Sequence, residues 1–109
     1  MLAQIFAQEK NKMINSKQRA NLRSLAQNIE PITQVGKLGV NESFLEGLDK
    51  ALEKRELVKI TVLENSGLEP KDAGIEIAEK LGAEFVCGTG RKLVFYRKSK
   101  SDKVKHIEF

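Results

Sequence analysis

The stretch Val35-Gly36-Lys37-Leu38-Gly39-Val40, followed by Asn41-Glu42-Ser43, organises the rest of the chain. Two glycines bracket a lysine, and because glycine has no Cβ, the backbone there can approach a ligand closely. Asn41 is a good helix N-cap, so N–H groups and the positive end of a helix dipole would lie beside the loop. Such a loop is a natural phosphate cradle, and KH domains clamp nucleic-acid backbones with a GxxG loop. The alternative is a plain turn between a strand and a helix.

The length of 109 residues is enough for one domain with a single modest core. No apolar run approaches the ~18 residues that a membrane span needs, and residues 1–7 lack the full pattern of a signal peptide. The single cysteine, Cys87, excludes an internal disulfide and a cysteine-cluster metal site. We therefore expect a cytoplasmic protein without a membrane partner.

Charge is unevenly distributed along the chain, although its net value is only +4. Residues 1–40 carry six basic against two acidic side chains, residues 41–86 carry six against eleven, and residues 87–109 carry seven against two. If the two basic ends converge in space, one face of the molecule is positive, as expected of a surface that attracts phosphate backbones. The alternative is that solvated lysines only keep the protein soluble.

Hydrophobic periodicity predicts the element order α-β-α-β-α-β-β. The predicted helices begin after an Asn15 or Ser16 cap, at Asn41 and at Pro70, and they end before Pro31, at Glu56 and before Gly82. The predicted strands cover residues 31–35, 57–63, 83–87 and 93–97, with a glycine-rich hairpin turn at 88–91. Leu22, Leu25, Ala26 and Ile29 form the predicted apolar stripe of the first helix.

This order predicts an α/β (α+β) domain with a four-stranded mixed sheet. Strands joined through helices favour parallel pairing, whereas the last hairpin must be antiparallel. We expect helices to cover mainly one side of the sheet. Residues 1–12 are predicted to be an N-terminal extension, 13–98 the domain, and 99–109 a basic flexible tail without periodicity.

No constellation of residues typical of an enzyme is present. His106 lies in the predicted tail, and Cys87 lies in a strand without an activating base nearby, as expected of a structural cysteine. Gly88-Thr89-Gly90 precedes a strand rather than a helix, so it is not a dinucleotide fingerprint. We expect no catalytic residue, metal site or cofactor.

Basic residues accompany the glycine loop in two other places. Lys17, Arg19 and Arg23 fall off the apolar stripe of the first helix. Arg91 and Lys92 lie at the tip of the hairpin. Arg97 follows Tyr96, whose ring could stack on a base or simply pack.

Several motifs in order resemble the CRM domain (chloroplast RNA splicing and ribosome maturation). They are Ser16-Lys17-Gln18-Arg19, Leu22-Arg23-Ser24-Leu25-Ala26, Pro31-Ile32, Gln34–Val40, Glu56-Leu57-Val58-Lys59-Ile60 and Gly90–Arg97. The resemblance covers roughly residues 13–98, and the small stand-alone bacterial members, the YhbY-type proteins, are about this size. It implies a fold similar to the C-terminal domain of translation initiation factor three. It also implies RNA binding, association with precursors of the large ribosomal subunit, and a GxxG loop at residues 36–39.

The sequence thus predicts a non-enzymatic, monomeric RNA-binding protein of ribosome assembly, with ribosomal RNA of large-subunit (50S) precursors as its partner. The predicted RNA-binding residues are Gly36, Lys37, Leu38, Gly39, Lys17, Arg19, Arg23, Arg91, Lys92 and Arg97. The alternative is a small protein-interaction module that contacts a ribosomal protein or assembly factor through the acidic middle of the chain or the exposed helix faces, without direct RNA contact.

Overall fold

The computed structural model describes residues 14–101 and 103–109, so the predicted extension at residues 1–12 lies outside the described residues. The helices are α1 (Ser16–Ala26), α2 (Glu42–Arg55) and α3 (Pro70–Leu81). The strands are β1 (Thr33–Val35), β2 (Leu57–Val62), β3 (Glu84–Thr89) and β4 (Lys92–Tyr96), and a short 3-10 turn spans Glu64–Ser66. The predicted order of elements is confirmed.

Local chemistry sets the helix ends. The Asn15 side chain accepts a hydrogen bond from the Gln18 N–H (2.8 Å), and the Gln18 side chain accepts one from the Asn15 N–H (3.0 Å). This reciprocal pair is a capping box. The Asn41 side chain caps α2 by accepting from the Phe44 N–H (2.8 Å). Gly82 ends α3 in the left-handed conformation, at φ 62°.

The sheet has the strand order β1-β2-β4-β3. β1 and β2 are parallel, while β4 is antiparallel to both of its neighbours, so the predicted mixed sheet is confirmed. The β3–β4 pairing shifts its register between Phe85 and Cys87. This irregularity places both Val86 and Cys87 in the hydrophobic cluster on the side of α1.

Helices lie on both faces of the sheet, whereas the sequence predicted cover mainly on one side. The inner face packs against α2 and α3, with Leu48, Leu52 and Ile77 among its buried side chains. The outer face packs against α1 through Leu22 and Ala26. Leu25 is 43% exposed, so its predicted place in the stripe is wrong, because α1 buries one narrow stripe only. The short helix therefore covers only part of the outer face.

Gly74 shows how closely α3 approaches the sheet. A Cβ at this position would lie 2.7 Å from the Phe85 Cζ atom and 2.8 Å from its Cε2 atom. Glycine costs about 1 kcal/mol relative to alanine inside a helix. The contact with the Phe85 ring explains why glycine occupies this position despite that cost.

The C-terminal segment contacts the domain, which differs from the predicted flexible tail. The buried Glu56 carboxylate accepts hydrogen bonds from the backbone N–H groups of Ser99 (2.7 Å) and Ile107 (2.8 Å), and His106 Nδ1 lies 2.5 Å from Glu56 Oε2. The Phe109 ring meets the Tyr96 ring edge-on, with centroids 4.8 Å apart. Sequence periodicity does not detect this segment because it is held by hydrogen bonds to Glu56 and Glu53 and by two separate apolar side chains, Ile107 and Phe109, rather than by an apolar stripe.

Candidate functional site

The GxxG loop is a tight turn with an exposed tip. The Gly39 N–H donates to the Gly36 carbonyl oxygen (2.9 Å), which closes a four-residue turn with Lys37 and Leu38 at its centre. Both central side chains are exposed, and Leu38 is 84% exposed, the highest value among the exposed large apolar residues described. Leu38 therefore contributes little to the packing of the fold and remains accessible to a partner.

The two glycines of the loop have different structural requirements. Gly39 has a φ of 68°, a conformation that side chains rarely adopt. Gly36 has no such requirement, because a Cβ there would make ordinary contacts with Leu63 Cδ1 (3.7 Å) and Asn65 Oδ1 (3.9 Å). The turn therefore explains the presence of Gly39 but not that of Gly36.

Three backbone N–H groups of the loop are available to a ligand. Those of Gly36, Lys37 and Leu38 form no hydrogen bond within the described residues, whereas the Gly39 N–H is used by the turn itself. The available N–H groups therefore belong to the first three residues of the loop, and their contact with phosphates stays a prediction. The first turn of α2 begins immediately after the loop, at the Asn41 cap.

Arg19 is one of three predicted cations whose guanidinium groups bind within the protein. Its Nη1 atom donates to the carbonyl oxygens of Phe85 (2.6 Å) and Val86 (3.1 Å), and its Nη2 atom lies 3.3 Å from a Glu84 carboxylate oxygen. Burial raises the pKa of Glu84 more than the charge of Arg19 lowers it. The arginine therefore mainly attaches α1 to β3.

Arg91 organises the backbone next to the GxxG loop. Its guanidinium donates to the carbonyl oxygens of Val62 (2.5 Å), Leu63 (3.1 Å) and Leu68 (3.2 Å). The same Leu63 donates its N–H to the Val35 carbonyl oxygen (2.9 Å), one residue before Gly36. Arg91 thus supports the segment on which the loop rests.

Arg97 lies at the opposite end of the sheet from the GxxG loop. It follows β4, whose last residue pairs with the start of β2, whereas the loop follows β1, whose last residue pairs with the end of β2. Its guanidinium contacts Asp49 (2.7 Å), Glu53 (3.6 Å) and the Leu81 carbonyl oxygen (2.8 Å). The structure therefore does not bring Arg97 to Lys37, and its charge is already neutralised.

The other predicted cations, Lys17, Arg23, Lys37 and Lys92, are exposed and form no ion pair with any carboxylate that the structure describes. Lys17 lies in the first turn of α1. Arg23 and Lys92 converge on the outer face of the sheet with Lys59, around an open groove of about 340 Å³.

Cys87 lines the same groove, and its surroundings shift the pKa of its thiol. Burial raises the pKa of its thiol, while the positive charges of Arg23, Lys59 and Arg19 oppose that rise. The thiol stays protonated at neutral pH, which agrees with the predicted structural role.

Tyr96 is buried beneath the C-terminal segment, so of the two roles left open for its ring, packing is the one observed.

Sequence reasoning missed four polar residues on the outer face, namely Gln34, Lys59, Thr61 and Thr89. The alternation of polar Lys59 and Thr61 with buried Val58, Ile60 and Val62 indicates their side of β2. Only the strand register, however, shows that Gln34 and Thr89 lie on the same side.

Fold and site together define a small α/β domain with a GxxG loop and an adjoining cationic groove. The CRS1 / YhbY (CRM) domain matches residues 14–97, and the chain belongs to this family. It is 37% identical over 91 residues to the "Probable RNA-binding protein YqeI" of Bacillus subtilis, covering 84% of this chain and 95% of that protein. It is 32% identical over 92 residues to an "RNA-binding protein" of Haemophilus influenzae, covering 84% and 92% of the two chains.

A solved structure shares the fold. The solution structure of the hypothetical protein SAV1595 from Staphylococcus aureus aligns with a TM-score of 0.67 at 36% identity, covering 86% of this chain and 99% of that one. The bacterial relatives are named for RNA binding and not for an enzymatic activity. Within residues 14–101 and 103–109, no helix is long and apolar enough to cross a membrane, and no group of three or more metal-ligating side chains occurs.

Proposed function

We propose that this chain is a non-enzymatic RNA-binding protein that contacts phosphates through residues 36–39 and the adjoining cations. The observation that carries the proposal is the conjunction, at one end of the sheet, of three available N–H groups with exposed Lys37 and Lys92. Counterion release by such contacts makes binding salt-dependent. The names of the relatives support the same class of ligand.

A salt titration of RNA affinity tests the role of Lys37. Lys37→Ala should lower the slope of log affinity against log salt by about 0.7–0.9, which corresponds to one phosphate contact. Lys50→Ala is the matched control, because Lys50 is also exposed but lies on α2. Equal slopes for the wild type and Lys37→Ala would remove Lys37 from the interface.

A substitution at Gly36 tests the loop geometry. Gly36→Leu requires no positive φ and extends a side chain past Leu63 and Asn65, so the fold should remain intact. We expect RNA affinity to fall at least tenfold, because the side chain obstructs the backbone N–H groups. Unchanged affinity would mean that the loop is only a turn.

We further propose that the RNA is ribosomal RNA in precursors of the large subunit. The resemblance of the sequence to the CRM family supports this proposal. Sedimentation of cell extracts tests this, and the protein should travel with large-subunit precursors. Crosslinking followed by sequencing of the attached RNA should then return large-subunit rRNA. Enrichment of unrelated RNAs would contradict the ribosomal assignment while leaving RNA binding intact.

One observation favours the rival function of a protein-interaction module. The exposed face of α2 carries Glu42 and Glu46, which form no ion pair with a described residue and are available to a basic ribosomal protein. Nuclease treatment before capture separates the two functions, because a direct protein contact survives the loss of RNA. We expect that, after nuclease treatment, the protein no longer captures large-subunit precursors.

A further inference from the structure

The outer face of the sheet is covered at one end only. α1 packs against Leu57, Val86, Val94 and Tyr96, toward the end of the sheet that is remote from the GxxG loop. The half next to the loop presents polar side chains. The strand register defines one cross-strand row within this open half and a second row at its border with α1.

The first row crosses all four strands. Gln34 of β1 pairs with Thr61 of β2, Thr61 pairs with Lys92 of β4, and Lys92 pairs with Thr89 of β3. Paired residues stand on the same face of a sheet. Three strand spacings make this row about 14 Å long. Gln34 lies two residues before Gly36, so the row continues the GxxG loop across the sheet.

The second row adds positive charge. Lys59 pairs with Val94, and Val94 pairs with Cys87, one step further from the loop. Arg23 of α1 and Gln27, the C-cap residue that follows this helix, line the groove over this row. The residues that line the groove include no carboxylate, and neither Lys59 nor Lys92 forms an ion pair with a described residue.

No aromatic ring among the described residues is exposed. Phe95 and Tyr96 are buried, and Phe44, Phe85 and Phe109 are half-buried in the two hydrophobic clusters. Proteins that hold single-stranded nucleic acid commonly stack its bases on exposed aromatic side chains. This surface instead offers cations, two hydroxyl groups and an amide.

That chemistry matches the sugar–phosphate backbone of double-stranded RNA. A-form RNA is recognised by its shape and by contacts to phosphates and 2′-hydroxyl groups across the shallow minor groove. Lys59, Lys92 and Arg23 can neutralise phosphates. The side chains of Gln34, Thr61 and Thr89 can each donate to and accept from a 2′-hydroxyl group.

We propose that the open half of the outer face, together with the GxxG loop, binds the backbone of double-stranded RNA and selects it over single-stranded RNA. This inference rests on the proposed function and adds the class of RNA to it.

Fluorescence anisotropy with three labelled probes tests the selection at one salt concentration. The probes are an RNA duplex of about 20 base pairs, one of its strands alone, and a DNA duplex of the same sequence. The full chain should bind the RNA duplex at least tenfold more tightly than the single strand. Equal or tighter binding of the single strand overturns the inference but leaves RNA binding in place, whereas failure to bind any probe overturns the proposed function as well.

A triple variant tests whether the open half is responsible. Arg23→Gln/Lys59→Gln/Lys92→Gln keeps Lys37, and it should lower affinity for the RNA duplex at least tenfold and abolish the preference for duplex. The matched control, Lys50→Gln/Lys54→Gln/Lys71→Gln, removes the same charge from exposed positions on the helices α2 and α3. If both variants lose the same affinity, net charge accounts for binding and the site is wrong.

The hydroxyl groups provide a test that charge cannot mimic. Thr61→Val/Thr89→Val keeps the shape of both side chains and the net charge. It should lower affinity for the RNA duplex about threefold to tenfold and leave the DNA duplex unaffected, because DNA lacks the 2′-hydroxyl group. Urea unfolding of each variant checks that the fold is intact, and equal losses on RNA and DNA would contradict recognition of the 2′-hydroxyl group.

Discussion

The charged side chains at the two ends of the sheet differ in exposure and pairing. At the end that carries the GxxG loop, Lys37 and Lys92 are exposed and form no ion pair with a described carboxylate. At the other end, Arg97 contacts two carboxylates, and Glu56 is fully buried. Removing one partner of a buried or paired charge destabilises a fold because the other partner is left uncompensated, whereas exposed cations remain available to a polyanion. Substitutions at the two ends should therefore separate stability from binding.

Glu56 is the buried charge at the end of the sheet that is remote from the GxxG loop. It ends α2 with a φ of 66°, an uncommon conformation for a residue other than glycine. Burial raises the pKa of Glu56, but the hydrogen bonds with His106, Ser99 and Ile107 together lower it by a larger amount. The pKa of Glu56 therefore lies below its ordinary value of 4.5. The carboxylate is thus ionised in the fold and holds the C-terminal segment in place.

The largest expected effect is that of Glu56→Ala. It leaves the donors of Ser99 and Ile107 without an acceptor and removes the charged partner of His106. A hydrogen bond to a charged group contributes about 1.5–3 kcal/mol, so we expect the free energy of unfolding to fall by about 3 kcal/mol in a urea titration. RNA affinity should change less than twofold.

Two further substitutions control this prediction. Glu108→Ala removes an exposed carboxylate of the same segment and should change stability by less than about 0.5 kcal/mol. Glu56→Gly should recover about 1 kcal/mol relative to Glu56→Ala, because glycine tolerates the positive φ. A loss below about 1 kcal/mol for Glu56→Ala would show that the contacts of the C-terminal segment contribute little to the fold.

Arg97→Ala should have the next largest effect. It removes the contacts with Asp49, Glu53 and the Leu81 carbonyl oxygen, for an expected loss of about 1–2 kcal/mol in the free energy of unfolding. Lys98→Ala, its exposed neighbour, is the control for charge. A tenfold loss of RNA affinity specific to Arg97→Ala would break the division between the two ends, because it would place Arg97 in the interface.

Gly39→Ala sharpens the comparison from the loop end. Alanine at a φ of 68° costs about 1 kcal/mol, part of which the turn can relieve by opening. We expect a loss of this size in thermal unfolding together with weaker RNA binding. Gly39→Asn should be milder on both measurements, because asparagine tolerates this conformation. Equal effects of the two variants would show that φ is not the cause.

The smallest effect concerns acid. Because the folded pKa of Glu56 is lowered, its contribution to stability is fully present above about pH 4.5 and is lost as the pH falls through the folded pKa. Unfolding free energies measured from pH 6 to pH 3 should therefore fall less steeply in Glu56→Gln than in the wild type. Identical slopes would mean that other carboxylates dominate acid unfolding.

The sequence predicts best what depends on neighbouring residues. The Asn41 cap, the Pro70 helix start and the alternation of Val58, Ile60 and Val62 are local patterns, and the structure confirms each of them. The element order and the mixed sheet follow from such patterns, since connections restrict how strands pair.

Contacts between distant residues could not be predicted in this way. Arg91 reaches the Val62 carbonyl oxygen across 29 positions, and Ile107 reaches Glu56 across 51. The sequence does not show whether an arginine binds a backbone carbonyl or faces solvent. Arg19, Arg91 and Arg97, which make internal contacts, could therefore not be distinguished in the sequence from the exposed Arg23. The role of each predicted site residue in RNA binding stays a prediction.

The hydrogen bonds between Glu56 and the C-terminal segment affect how far the chain can be truncated without loss of stability. The family match ends at residue 97, but the partners of the buried carboxylate lie between Ser99 and Ile107. A fragment trimmed to the aligned region would keep every helix and strand but would lose the three residues whose side chain or backbone contacts the Glu56 carboxylate. We therefore expect the fragment to have a lower free energy of unfolding than the full chain.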